Sequence, residues 1–173
     1  MYKWIVGLGN YPKENLNKYR FTRHNSGGDL VLSIMERLRL EGLISTYIHE
    51  GSEINIGVFT GYLNNSGTSM SKHISKDLID RILVVHDDAE LPYGSAKLKR
   101  GGSDSGHNGL RSITKVMGSS NYDRLRIGVG KSQPLDKYVL SKHSASEMDI
   151  FQKIVDYSYD KFYELVKGEF QYS

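Results

Sequence analysis

Two short apolar runs, each cut off abruptly by polar residues, constrain this chain more than any other feature. Lys3 to Leu8 is rich in β-branched and aromatic residues and stops at Gly9-Asn10. Arg81 to His86 holds Ile82, Leu83, Val84 and Val85 and stops at Asp87-Asp88. Runs that are apolar at every position have no side to turn to water, so they read as strands covered on both faces, as in a parallel or mixed sheet with helices packed against it. On this reading Asp87 and Asp88 lie just beyond a strand's carboxyl end, at the edge where α/β folds gather their sites.

The rest of the chain fits that frame. Leu30, Val31, Ile34, Met35 and Leu38 recur at helical spacing and predict a helix from Gly28 to Arg39. Thr46 to His49 and Ile54 to Thr60 predict a hairpin turning at Glu50 to Glu53, and Gly94 to Lys99 and Asp123 to Gly130 predict two more strands. Between those last two, a Gly- and Ser-rich loop from Gly101 to Gly109 leads into a short helix through Met117. Ser144 and Glu147 form a capping box that opens a final helix, with Phe151, Ile154, Val155, Phe162, Leu165 and Val166 on its inner face and Gly168 to close it. Strands alternating with helices, with no repeat and no linker, predict an α/β single domain over residues 1–173: a mixed central β-sheet flanked by helices.

The chain has no Cys among 173 residues, which excludes disulfides, a thiolate nucleophile and any zinc site built on thiolates. No apolar run approaches the roughly 18 residues of a membrane span, so the chain reads as cytoplasmic, with no membrane partner. Charge is uneven. Between Leu91 and Lys131 stand Lys97, Lys99, Arg100, Arg111, Lys115, Arg124, Arg126 and Lys131 against only Asp104 and Asp123, although the whole chain carries just +3. Such asymmetry points to a polyanion met on one face, or to a merely solvated basic edge.

Familiar signatures fail on inspection. Gly7-Leu8-Gly9 follows a strand, but Pro12 stands where a dinucleotide loop needs its third glycine. No P-loop, no H-E-x-x-H and no G-x-S-x-G is present, and Asp104-Ser105-Gly106 supplies neither a base nor an oxyanion hole. What remains is a set of polar residues in loops after apolar elements: Asn10, Thr22 to Asn25, Asn64 to Gly67, His86 to Asp88 and Gly106 to Gly109. Histidine, aspartate and several asparagines form the inventory for hydrolysis by an activated water. The imidazole would take the proton, a carboxylate would fix its tautomer, and amides would bind a carbonyl oxygen and substrate. No metal or cofactor is required.

These residues carry a resemblance. Ile5-Val6-Gly7-Leu8-Gly9-Asn10, Thr22-Arg23-His24-Asn25-Ser26-Gly27, Tyr62-Leu63-Asn64-Asn65-Ser66-Gly67, His86-Asp87-Asp88, Gly106-His107-Asn108-Gly109-Leu110 and Leu125 to Gly130 occur in the order seen in bacterial-type peptidyl-tRNA hydrolases. The resemblance runs over nearly the whole chain. It implies hydrolysis of the ester between peptide and tRNA, without metal, on a mixed-sheet α/β monomer that needs no protein partner.

By the same resemblance His24 matches the catalytic base and Asp87 the carboxylate that orients it. Asn10, Asn64 and Asn108 match amides that place the water, the ester carbonyl and the peptide backbone, and Tyr19 joins the substrate-binding set. Lys99 and Arg126 match a basic pair that clamps the tRNA 5′-phosphate, giving the basic stretch a partner. The sequence departs from the family in a longer spacer between Asn10 and Thr22, in Phe59 and Leu63 where Pro and Met are usual, in Asp104 within a loop expected to meet RNA, and in a shorter carboxyl end. The alternative is a catalytically silent RNA-binding protein of the same fold, which would have no reason to keep His24, Asp87 and three asparagines together.

Overall fold

A computed structural model describes all 173 residues. The strands are β1 (Trp4–Gly7), β2 (Ile44–His49), β3 (Ser52–Gly57), β4 (Ile82–Asp88), β5 (Ala96–Arg100) and β6 (Asp123–Gly128). The helices are α1 (Ser26–Arg37), α2 (Ser66–Ser71), α3 (Asn108–Met117), α4 (Leu135–Leu140), α5 (Ala145–Asp160) and α6 (Phe162–Lys167), with short 3₁₀ turns between some of them. All six strands form one sheet in the order β2-β3-β1-β4-β6-β5. The inner four are parallel to one another and each edge strand is antiparallel to its neighbour, so the sheet is mixed, as the sequence predicts.

The apolar runs serve two cores at once. Ile5, Leu83, Val85, Leu125 and Ile127 point to one side, where they meet Leu30 and Ile34 of α1 and Phe151, Ile154 and Phe162 from α5 and α6. Trp4, Val6, Ile82 and Val84 point to the other, against Met70 of α2 and Leu110, Ile113 and Met117 of α3. Period-2 alternation between two dry layers leaves no polar position, which is why these strands read as continuous apolar runs.

Three expectations need correction. Asp87 and Asp88 are not beyond β4 but are its last two residues, buried and registered against Ile127 and Gly128 of β6. The ladder continues past the apolar run because both carboxylates find partners there. The final helix is not continuous: it breaks at Lys161 (φ −104°, ψ 27°), and α6 restarts to bring Phe162, Leu165 and Val166 onto the core before Gly168 ends it in the left-handed conformation. The hairpin turn is only Glu50-Gly51, both at positive φ, with His49 opposite Ser52, a geometry suited to the twist of paired strands.

The chain leaves β1 to build β3 on one side and returns to build β4 on the other. The crevice beyond the carboxyl ends of β1 and β4 is therefore the topological switch point, where open α/β sheets place their ligands. No helix is long and apolar enough to cross a membrane.

Candidate active site

Asn10 leaves β1, Asp87 ends β4, and His24 sits on a 3₁₀ turn (Arg23–Asn25) leading into α1. Close packing at Gly27 brings them together. A Cβ built there would lie 2.1 Å from the Val85 carbonyl oxygen and 2.6 Å from the His86 Cα, so only glycine lets the start of α1 touch β4. Asn25, fully buried, accepts from the Asn10 backbone N–H at 2.8 Å and donates to the Asn10 carbonyl at 3.0 Å. Asn10 Oδ1 in turn accepts from the Leu63 N–H at 2.7 Å, which ties the first loop to the one bearing Asn64.

The long segment between Asn10 and Thr22 leaves this arrangement undisturbed. The buried carboxylate of Asp29 accepts from the Tyr11 hydroxyl (2.9 Å) and the Phe21 N–H (2.7 Å) and forms an ion pair with Arg20 (2.7 Å), and so holds both ends of the segment.

The polar centre is a relay of three side chains. Asp87 lies between His24 Nδ1 and His107 Nε2, each 2.9 Å from a different carboxylate oxygen. His107 settles the proton positions. It is the N-cap of α3, and its Nδ1 accepts from the backbone N–H groups of Gly109 and Leu110 at 3.1 and 3.3 Å, so its proton resides on Nε2 and is donated to Asp87. An ionised Asp87 also accepts from His24 Nδ1–H, which leaves a lone pair on His24 Nε2.

The electrostatics agree. Burial alone would push the Asp87 pKa up, but His24 and His107 outweigh it and hold the carboxyl well below the usual carboxylate range. For His24 burial pulls the pKa down, while the charge and hydrogen bond of Asp87 lift it above its ordinary value. His86, buried beneath them, donates from Nδ1 to the Asp87 carbonyl at 2.7 Å. Burial, with the nearby His107, lowers its pKa to about 4 and keeps it neutral.

Single ligand atoms of His24, Asp87 and His107 lie within 4.8 Å of one another, a donor set that by type suits a divalent metal. The cap on α3 argues against that use. To coordinate through Nε2, His107 would have to carry its proton on Nδ1, facing two backbone N–H donors. The group fits a hydrogen-bond relay better than a metal centre.

Two hollows meet at this relay. The first, about 390 Å³, is lined by His24, Asp87 and His107 and by Lys99, Arg124 and Arg126. The second, about 350 Å³, is lined by Asn10, Tyr19, Tyr62, Asn64, Asn108 and Leu140. His24, Asn108, Asp136 and Val139 border both. Every candidate residue read from the sequence thus lies in one hollow or the other: Asn10, Tyr19, Asn64 and Asn108 on the more apolar side, Lys99 and Arg126 on the cationic side. Tyr19 stands edge-on to Tyr62 at 6.3 Å.

The basic stretch is less free than its sequence suggests. Arg124 is buried and spends its guanidinium on the carbonyls of Gly102, Ser103 and Ser120, bracing the loop that ends in His107. Arg126 meets Asp88, Arg111 meets Asp104, Arg100 meets Asp123 and Lys131 meets Glu90. Lys97, Lys99 and Lys115 have no acidic partner. Sequence reasoning missed His107, quoted only as a neighbour of Asn108, and missed α4, whose Leu135, Val139 and Leu140 help wall both hollows. The available signal was the His-Asn-Gly step into a helix, where cap preferences point to the asparagine.

A family profile described as peptidyl-tRNA hydrolase matches residues 4–173. The chain is 35% identical to the peptidyl-tRNA hydrolase of Pseudomonas paraeruginosa, covering 95% of this chain and 90% of that protein. It is 36% identical to the peptidyl-tRNA hydrolase of Campylobacter lari, covering 96% and 93%. Its fold superposes on the crystal structure of peptidyl-tRNA hydrolase from Acinetobacter baumannii with a TM-score of 0.81 and 30% identity over 97% of this chain and 90% of that one.

Proposed function

The chain belongs to the peptidyl-tRNA hydrolase family, and from that premise we propose how its residues divide the reaction. The enzyme hydrolyses the ester joining peptide to tRNA; the silent RNA-binding alternative is not favoured. One observation carries the reading of roles: a histidine whose Nδ1–H is held by an ionised, doubly bonded aspartate, beside a hollow lined by three asparagines.

A water beside His24 Nε2 attacks the ester carbonyl carbon while the imidazole takes its proton. Asp87 stabilises the imidazolium, and the side-chain amides of Asn10, Asn64 and Asn108 hold water, carbonyl oxygen and peptide backbone. The tetrahedral intermediate collapses, the ribose oxygen leaves, and it recovers the proton from His24. Tyr19 and Tyr62 flank the peptide, while Lys99 and Arg126 hold RNA phosphate. Since one chain supplies every group, we assign a monomer of one domain spanning residues 1–173, working in the cytoplasm, where peptidyl-tRNA is made.

The test is incubation with a labelled, N-blocked aminoacyl-tRNA. Release of the label as acylated amino acid is expected, and tight binding without cleavage would overturn the reading in favour of a binder. Dialysis against chelator should leave turnover of a small N-acyl-aminoacyl ester unchanged, because no role above uses a cation; activity lost to chelator and restored by one divalent ion would contradict that.

Asp87→Asn should move the acidic limb of the kcat/KM profile to lower pH. Only neutral His24 accepts the proton, so the rate rises as pH passes through its pKa. In the wild type Asp87 lifts that pKa above the ordinary value, and without the carboxylate charge burial acts alone and lowers it. A limb that stays put or moves upward would show that His24 does not feel Asp87.

Lys99→Ala and Arg126→Ala should each raise KM, leave kcat near wild type, and flatten the dependence of log binding on log salt by roughly 0.7 to 0.9. Unchanged slopes would place the RNA elsewhere.

A further inference from the structure

The proposed phosphate grip contains an acid. Lys97 pairs with Arg126 and Lys99 with Arg124 across the β5–β6 ladder, so four cations share one face of this sheet edge. Arg124 is consumed by the loop it braces, and Lys97 does not line the hollow. Lys99 and Arg126 do, and with them comes Asp88, nine-tenths buried. By charge alone Asp88 opposes any anion entering there, so its presence calls for another reason.

The geometry supplies one. Asp88 Oδ1 accepts from the Glu90 N–H at 2.8 Å and Oδ2 from Arg126 Nε at 2.7 Å, so both oxygens of the carboxylate are fixed. The Arg126 side chain makes no other hydrogen bond within the protein and is 24% exposed. An arginine pinned at Nε keeps its outer edge, the two Nη groups, unpaired and set in one orientation. Two parallel N–H donors at a fixed spacing match two oxygens of a single phosphate. Taking as ligand the terminal phosphate that the resemblance gives to Lys99 and Arg126, we propose that Asp88 is a positioning residue: it aims the Arg126 fork, and the preference for a terminal phosphate monoester over the phosphodiesters of the backbone depends on that aim. A monoester can turn three unshared oxygens and up to two charges to the fork, whereas a diester offers two oxygens and one charge. The inference rests on the reading above that Lys99 and Arg126 hold RNA phosphate.

Orientation and charge predict opposite results for one substitution. Asp88→Ala adds a positive charge to the hollow, so it should strengthen binding of RNA in general and steepen the salt dependence. If Asp88 aims Arg126, it should nevertheless weaken recognition of the terminal phosphate. Arg126→Lys keeps the charge but has neither fork nor Nε, and should lose the same recognition with the salt slope unchanged.

The readout is the ratio of kcat/KM for N-acetyl-aminoacyl-tRNA carrying its 5′-phosphate to that for the same substrate after phosphatase treatment. Within one variant this ratio cancels any general loss of activity or folded fraction. A wild-type ratio of about 10 is expected, the scale of one hydrogen-bonded charge pair, falling below about 3 in both variants. A ratio retained or increased in Asp88→Ala would mean that the carboxylate acts only as an opposing charge, and would overturn the inference while leaving the phosphate grip intact. A ratio near 1 in the wild type would overturn both it and the assignment of Lys99 and Arg126. If Asp88→Ala does not fold, Arg126→Lys decides: an undiminished ratio there shows that no aimed fork is involved.

Discussion

His24→Ala lowers kcat by about 10² to 10⁴, the usual scale for loss of a general base, and leaves tRNA binding close to wild type. The side chain lies at the meeting of the two hollows, so its removal takes away the proton acceptor without touching Lys99 or Arg126. Asp87→Asn should cost nearly as much, since its one oxygen is claimed by His107 Nε2–H and its NH₂ then faces His24 Nδ1, reversing the tautomer that leaves Nε2 free to take a proton. Combining the two should add little to His24→Ala alone, because Asp87 acts on the reaction through His24. Single-turnover rates and equilibrium binding of deacylated tRNA separate these outcomes. Loss of binding with chemistry intact would reverse the assignment, and a fully additive double mutant would give Asp87 a direct role.

Gly27→Ala, by contrast, should damage fold and chemistry together. The added methyl meets the Val85 carbonyl oxygen at 2.1 Å and the His86 Cα at 2.6 Å, and neither can swing aside as a flexible side chain would. Helix α1 must lift off β4, opening the layer where Leu30 and Ile34 pack on Leu83 and Val85. A cost of about 2 to 4 kcal/mol follows from overpacking against backbone. The same displacement separates His24 from Asp87, and a shift of about 1 Å in a catalytic group is enough to lose roughly 10² in rate. Urea midpoints for Gly27→Ala and for Glu36→Ala, on the exposed side of the same helix, test the first effect. The kcat of the folded fraction tests the second. Wild-type stability and rate in Gly27→Ala would show that the close approach is not needed.

The parts of the fold that sequence alone exposed are those where a local pattern and the tertiary environment agree. β1 and the stretch Ile82 to Val85 of β4 are apolar at every position because two cores demand it, α1 keeps its apolar stripe on the sheet, and the Ser144–Glu147 capping box forms as read. What was hidden depends on contacts distant in sequence. α4 has six residues and no side-chain cap, so little in its own sequence marks it. The break at Lys161 serves the placement of Phe162 on a core the local pattern cannot see. Arg124 reads as one more cation for RNA, yet it is buried to hold three loop carbonyls. His107 occupies a cap position usually given to Ser, Thr, Asp or Asn, and only the fold shows that its other nitrogen reaches Asp87.

The two hydrogen bonds and the ion pair at Asp29 have a consequence for how this enzyme can vary. Tyr11 and Phe21 terminate on one carboxylate, so the chain between them is a closed ring with a single clasp. Enlarging a ring whose ends are already fixed costs little, about 0.6 kcal/mol for each doubling of its length, and transmits no shift to what lies outside it. Asn10 and His24 both lie outside. Residues from Lys13 to Lys18, apart from Leu16, which packs on the core, can therefore be lengthened, shortened or exchanged for the corresponding stretch of a relative while the catalytic pair keeps its distance, which makes this ring a natural place for a new surface to be grafted onto an old reaction.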